Sequence, residues 1–185
     1  MKRAAAIAAG FLLAACSPTV GLDPAEHASD PICARMLFAT PDNIGGFDRS
    51  PTTSQATTAW SKAVTMRCGL EPPPPSTDRC ISVGEGEDRV DWLNLDADDP
   101  RLPSNAQGGE GTWTFLSYGR TPAVEVVISV EAVGDGAVAD LLTQFSPALN
   151  LVPAERQCVG PTDLAEREAL LDDPSGATDS GEDEG

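Results

Sequence analysis

Residues Thr112–Ala132 read TWTFLSYGRTPAVEVVISVEA. The two flanks of this stretch are rich in β-branched and aromatic residues, and Gly119-Arg120-Thr121-Pro122 between them predicts a hairpin turn. In the second flank Val124, Val126, Ile128 and Val130 share one face while Glu125, Val127, Ser129 and Glu131 share the other, the period-2 pattern of a half-buried strand. A sheet built this way has an apolar face that needs a cover and an opposite face that is largely wet.

The next segment supplies that cover. Asp135 or Gly136 is placed to cap a helix whose Val138, Leu141, Leu142 and Phe145 fall at i, i+3, i+4 and i+7, with Leu149 on the same stripe. Upstream, Asp30-Pro31 opens a shorter helix, since Asp can accept from free first-turn amides and Pro gives up only an amide that has no partner there. Its apolar residues Ile32, Cys33, Met36 and Leu37 form one buried face, and Pro41 ends it. Residues 43–58 are read as a polar stretch, after which AVTMRCGL (63–70) alternates with Val64, Met66 and Cys68 on one side. The run Pro72 to Pro75 forces an extended turn, RCISV (79–83) and RVDWLNL (89–95) are further strands, and residues 96–111 are loop. Strands in the middle with a helix towards each end predict a small two-layer α+β domain over residues 30–162, an antiparallel sheet with helices on one face.

Residues 1–15 read as a signal peptide: two cations, an apolar stretch from Ala4 to Ala15, and then Cys16. The stretch is too short to span a bilayer, which needs ~20 residues. Leu13-Ala14-Ala15-Cys16 resembles a bacterial lipobox, in which the cysteine receives a diacylglyceryl thioether and becomes the first residue of the mature chain. Two acyl chains anchor stably at ~0.8 kcal/mol per buried CH₂. The expected location is therefore the extracytoplasmic face of the cell membrane, held by lipid. Residues 16–29, broken by Pro18, Gly21 and Pro24, read as a disordered, flexible tether.

The remaining cysteines are Cys33, Cys68, Cys80 and Cys158, an even number that predicts two disulfides in an oxidising compartment. Three connectivities are possible. The expected one pairs Cys68 with Cys80 across the proline run and Cys33 with Cys158 across the domain.

The chain carries 29 acids against 12 Lys and Arg, a formal charge of −17, which excludes a phosphate-tracking nucleic-acid surface. That charge is uneven: residues 163–185 alone contain nine acids and one arginine. Such a segment cannot bury enough apolar surface to order itself and is expected to be a disordered, solvated tail, or a docking arm for a basic partner.

Catalytic signatures are missing from the sequence. There is one histidine, His27, in the expected tether, and no Gly-x-Ser-x-Gly, Ser-x-x-Lys or phosphate-cradling glycine loop. Without C-x-x-C or a histidine partner in the domain, no metal site is predicted. Asp91, Asp96, Asp98 and Asp99 could offer oxygens to calcium, but the glycine and terminal glutamate of an EF-hand loop are absent. No cofactor is expected. Trp60, Trp92 and Trp113 are candidates to line a ligand cleft.

The succession Ala59-Trp60, Met66-Arg67-Cys68-Gly69, a proline-rich loop, Val90-Asp91-Trp92 and Tyr118-Gly119-Arg120-Thr121-Pro122 resembles a family of small actinobacterial lipoproteins of unknown function. The resemblance implies the lipid anchor, and no activity, cofactor or catalytic residue is established for that family. Its RCG and YGR-P segments single out Arg67 and Arg120 as candidate binding residues, a cationic spot on an acidic surface, against the simpler role of structural contacts. The expected function is a lipid-anchored binding or interaction module for an envelope protein or small ligand. An envelope enzyme using carboxylate or arginine chemistry and a structural assembly accessory are the alternatives.

Overall fold

In the computed structural model, residues 18–76, 78–107, 111–134 and 138–159 are described. The expected signal peptide, Cys16, the helix cap expected at Asp135 or Gly136 and the acidic tail from 163 lie outside them. The described residues form an α+β domain around an eight-stranded antiparallel sheet. Its strands are β1 (Asn43–Ile44), β2 (Phe47–Ser50), β3 (Thr57–Trp60), β4 (Val64–Leu70), β5 (Arg79–Val83), β6 (Val90–Leu95), β7 (Thr112–Ser117) and β8 (Ala123–Ser129). The order across the sheet is β1-β2-β3-β4-β8-β7-β6-β5. Two four-strand meanders are thus joined through β4 and β8, and the proline-rich connection carries the chain from the middle of the sheet to its far edge.

The hairpin expected from the opening stretch is present as β7 and β8, with Phe115 opposite Val126. Strand β8 ends at Ser129, and Val130–Val133 turns into a helical segment, α2. Strands β1 and β2 and the start of β3 occupy the stretch read as polar. The Asn43 side chain accepts from the Gly46 amide to close the β1–β2 turn, and Thr57 and Thr58 in β3 are buried. Threonine suits a strand as well as a loop, so composition alone could not separate the two.

Helix α1 (Pro31–Ala39) starts as expected: Asp30 Oδ1 accepts from the Ile32 amide at 2.9 Å. Towards the C-terminus the single expected helix is two short ones, α3 (Val138–Thr143) and α4 (Ser146–Leu149). Pro147 cannot donate into a continuous ladder. The apolar stripe survives the break, because Val138, Leu141, Leu142, Phe145 and Leu149 are all buried. These helices cover the face that carries Val64, Met66, Cys68, Val124, Val126 and Ile128. Phe145 stands edge-on to Trp60, with centroids 5.5 Å apart, and to Trp92 at 6.3 Å.

The opposite face is not wet, contrary to expectation. Leu102 and Ala106 from the 96–107 loop pack on Leu93, Leu95 and Val127, and Asn105 Nδ2 donates to Thr65 Oγ1. The N-terminal segment covers the rest and is not a free tether from residue 18 onward. Val20 makes a parallel bridge to Thr52, Val20 and Leu22 pack on Ala59, and the His27 amide donates to the Gly69 carbonyl at 2.8 Å. Gly69 permits that last contact. Its φ is +102°, and a Cβ there would lie 2.5 Å from the His27 carbonyl carbon.

The disulfides also correct the expected pairing. They are Cys33–Cys68 and Cys80–Cys158. Strand order is the reason: β8, β7 and β6 lie between β4 and β5. Four inter-strand spacings of ~4.8 Å separate Cys68 from Cys80, far beyond the ~7 Å limit for bridged Cα atoms. Cys68 instead faces the helical layer, where Cys33 of α1 meets it with a Cα separation of 5.5 Å.

Candidate functional site

The hairpin turn of the opening stretch builds a cavity. Gly119 has φ +72° and approaches the Arg156 backbone so closely that a Cβ would collide with its carbonyl oxygen, while the Glu155 amide donates to the Gly119 carbonyl at 2.6 Å. This contact lays residues 152–157 along the turn. Between them lies a space of about 310 Å³ whose walls include Arg89, Arg120, Arg156, Asp91, Tyr118 and Asn150.

Arg120 is only 5% exposed. Its Nη1 donates to the carbonyls of Leu149, at 3.0 Å, and Val152, and its Nη2 donates to Asn150 Oδ1 at 2.7 Å and to the Arg89 carbonyl at 3.1 Å. It thereby ties the residue leading into β6, the turn after β7 and the end of α4 together. Burial pulls the guanidinium below the usual arginine value, against the raising influence of nearby Asp91. Arginine nonetheless remains a cation in proteins. Two donors of this cluster, Arg120 Nε and Asn150 Nδ2, are buried without a hydrogen-bond partner among the described residues.

Asp91 is the buried carboxylate of the cavity, and its oxygens are committed. Oδ1 accepts from Ser82 Oγ at 2.6 Å and Arg89 Nε at 3.0 Å, and Oδ2 accepts from the Cys158 amide at 2.6 Å. The second disulfide therefore sits directly behind this wall. Arg156 is exposed, and its Nη1 reaches the Pro73 carbonyl at a long 3.4 Å.

Arg67, the other candidate, is elsewhere. It lies on the opposite face of the sheet in a bidentate pair with Glu125, Nε to Oε1 at 2.8 Å and Nη2 to Oε2 at 3.0 Å. Glu125 is 2% exposed, and burial raises its pKa while Arg67 opposes the rise. Arg67 also floors a second, more apolar cavity of about 430 Å³, bounded by Pro24–Glu26 on one side and Pro72–Pro74 on the other. Trp60 and Trp92 are fully buried in the core, and Trp113 packs against the same cluster, so they are not a cleft lining. The structure thus separates the two arginines and assigns the tryptophans to packing.

Sequence reading missed Arg89, Arg156 and Asn150. They converge only because the strand order brings β6 beside β7 and because Gly119 lets the 152–157 segment approach; no spacing in the chain signals this. It also missed the position of His27. With its amide held at Gly69, its ring lies beside Glu26 and Glu71, the three ligating atoms within 4.8 Å of one another and all three residues exposed.

Fold and site together define a disulfide-linked α+β domain with an arginine-walled cavity and no recognisable catalytic constellation among the described residues. The chain belongs to the DUF3515 family of proteins of unknown function, whose family model matches residues 5–154. That span includes the whole sheet, both cavity-forming strands and Arg120. Neither the curated proteins nor the solved structures contain a match.

Proposed function

We propose that this protein is a lipid-anchored lipoprotein on the extracytoplasmic face of the membrane, as the resemblance to small actinobacterial lipoproteins implies, and that its domain binds a small ligand or envelope component. The observation that carries the reading is the fate of the cysteines. All four cysteines of the domain are paired, which suits an oxidising compartment, and the fifth, Cys16, stands apart at the end of a signal-like segment. The cavity beside Arg120 supports a binding role, since it is a concave space with a few convergent polar groups.

The lipid anchor is tested by intact mass spectrometry of the protein extracted from membranes of a bacterial host. The expected mature chain begins at Cys16 and carries a diacylglyceryl group, and Cys16→Ser abolishes both the acyl mass and membrane retention. Unmodified Cys16 in a protein released to the soluble fraction refutes it.

A further inference from the structure

We propose that the cavity walled by Arg89, Arg120 and Arg156 is a binding site for an oxyanion, the carboxylate or phosphate group of a small extracytoplasmic ligand. This rests on the reading of the domain as a binding module and names the chemistry that module takes.

The first support is an unbalanced charge. Arg120 is almost wholly buried, yet it forms no ion pair with a carboxylate among the described residues. Its four bonds go to three carbonyls and an amide oxygen, which satisfy donors but carry no countercharge. Asp91 acts on this charge only from beyond ion-pair distance, and a buried cation is normally completed by a directly paired anion. The second support is the pair of unpartnered donors. Leaving a buried donor unmade costs ~1–3 kcal/mol. Arg120 Nε and Asn150 Nδ2 belong to side chains lining the same cavity; both atoms are themselves closed to solvent, so an acceptor-rich group entering the cavity meets them as those side chains turn towards it.

The carboxylates facing the cavity do not fill this role. Asp91 already accepts three hydrogen bonds, and Glu87 stands at the exposed rim. Water can satisfy the donors but leaves the charge. Arg156, exposed and weakly held, adds a second guanidinium able to turn onto a bound oxyanion, the planar fork that matches carboxylate and phosphate. The volume of about 310 Å³ suits a small molecule and not a polymer.

The test is an NMR titration of the full mature chain with inorganic phosphate, acetate and glycerol, at constant ionic strength set with chloride. The expected result is a saturable shift of the Arg120 Nε–H and Asn150 side-chain amide signals with phosphate or acetate. Tighter saturation by phosphate identifies a phosphate monoester class, and tighter saturation by acetate a carboxylic acid class. Arg156→Gln, at an exposed position, should weaken that binding about tenfold without changing Tm, an effect that a purely structural Arg156 would not produce. Anion shifts that never saturate, or that spread over the surface and match those of chloride, overturn the proposal. Saturation of the same signals by glycerol and not by anions overturns the oxyanion chemistry but leaves the binding module. The module reading itself falls separately, if native mass spectrometry of envelope-extracted protein finds no retained ligand and crosslinking in the envelope finds no neighbour.

Discussion

The disulfide connectivity can be checked peptide by peptide. Trypsin cuts after Arg67 and Arg79, which puts Cys68 in CGLEPPPPSTDR and Cys80 in CISVGEGEDR. Non-reduced digests should contain the first of these joined to the peptide that ends at Arg35, and the second joined to the peptide that starts at Gln157. The energetic consequence follows from the loops closed. Sequence separations of 35 and 78 residues correspond in the chain-entropy model to ~3.8 and ~4.5 kcal/mol. Replacing Cys80 and Cys158 together by Ser should therefore lower stability by about 4.5 kcal/mol. At ~2–4 °C per kcal/mol for a domain of this size, that is about 9–18 °C in Tm. The Cys33→Ala, Cys68→Ala pair loses slightly less crosslinking entropy, but it also empties space in the core where Cys68 Sγ lies 3.6 Å from Met36 Sδ. Its total cost should equal or exceed the other. Thermal and urea unfolding of both double variants measure this. A peptide joining Cys68 to Cys80 would refute the strand order, and a loss below about 1 kcal/mol for Cys80→Ser, Cys158→Ser would refute the loop-closure origin of that bridge's stabilisation.

Three further outcomes are expected. Glu125→Ala leaves Arg67 half-buried without its partner and should destabilise by ~3–5 kcal/mol in urea unfolding, whereas replacing both with apolar residues of similar volume should cost far less. Gly69→Ala introduces a Cβ 2.5 Å from the His27 carbonyl carbon at φ +102°, and should cost at least ~2 kcal/mol and speed amide exchange across residues 20–28; unchanged exchange would show that the N-terminal segment is not pinned there. Arg101 donates to Asp78 and Asp99 and holds both carboxyls below the usual range. Because a depressed carboxyl pKa contributes stability above the unfolded value that is lost as pH falls through the folded value, Arg101→Gln should flatten stability between about pH 4 and the depressed range. NMR titration of the two carboxyls should then show both returning towards ~3.9.

Much of the main sheet was legible because its strands carry a two-residue period that is a property of neighbouring residues alone. The alternation in AVEVVISV and AVTMRCGL identifies β8 and β4 and selects the face that the helices cover. The stripe from Val138 to Leu149 was legible for the same reason, even though Pro147 splits its helix. The polar face misled. Thr65, Glu125 and Thr114 look like solvent-facing residues, yet a loop and the N-terminal segment bury them. A residue can be polar and buried when its bonds are made internally, and Glu125 makes its bonds to Arg67, 58 positions away.

Composition and local pattern by themselves determined the acidic character, the even set of domain cysteines, the signal-like start and the α+β class. These depend on residue identity and on spacings of two to four residues. Only the tertiary structure decided which cysteines meet, which arginine is neutralised and which is not, and where a cavity opens. Those outcomes depend on strand order, since placing β8, β7 and β6 between β4 and β5 separates Cys68 from Cys80, pairs Arg67 with Glu125, and sets Arg120 beside Arg89 with no ion-paired carboxylate among the described residues.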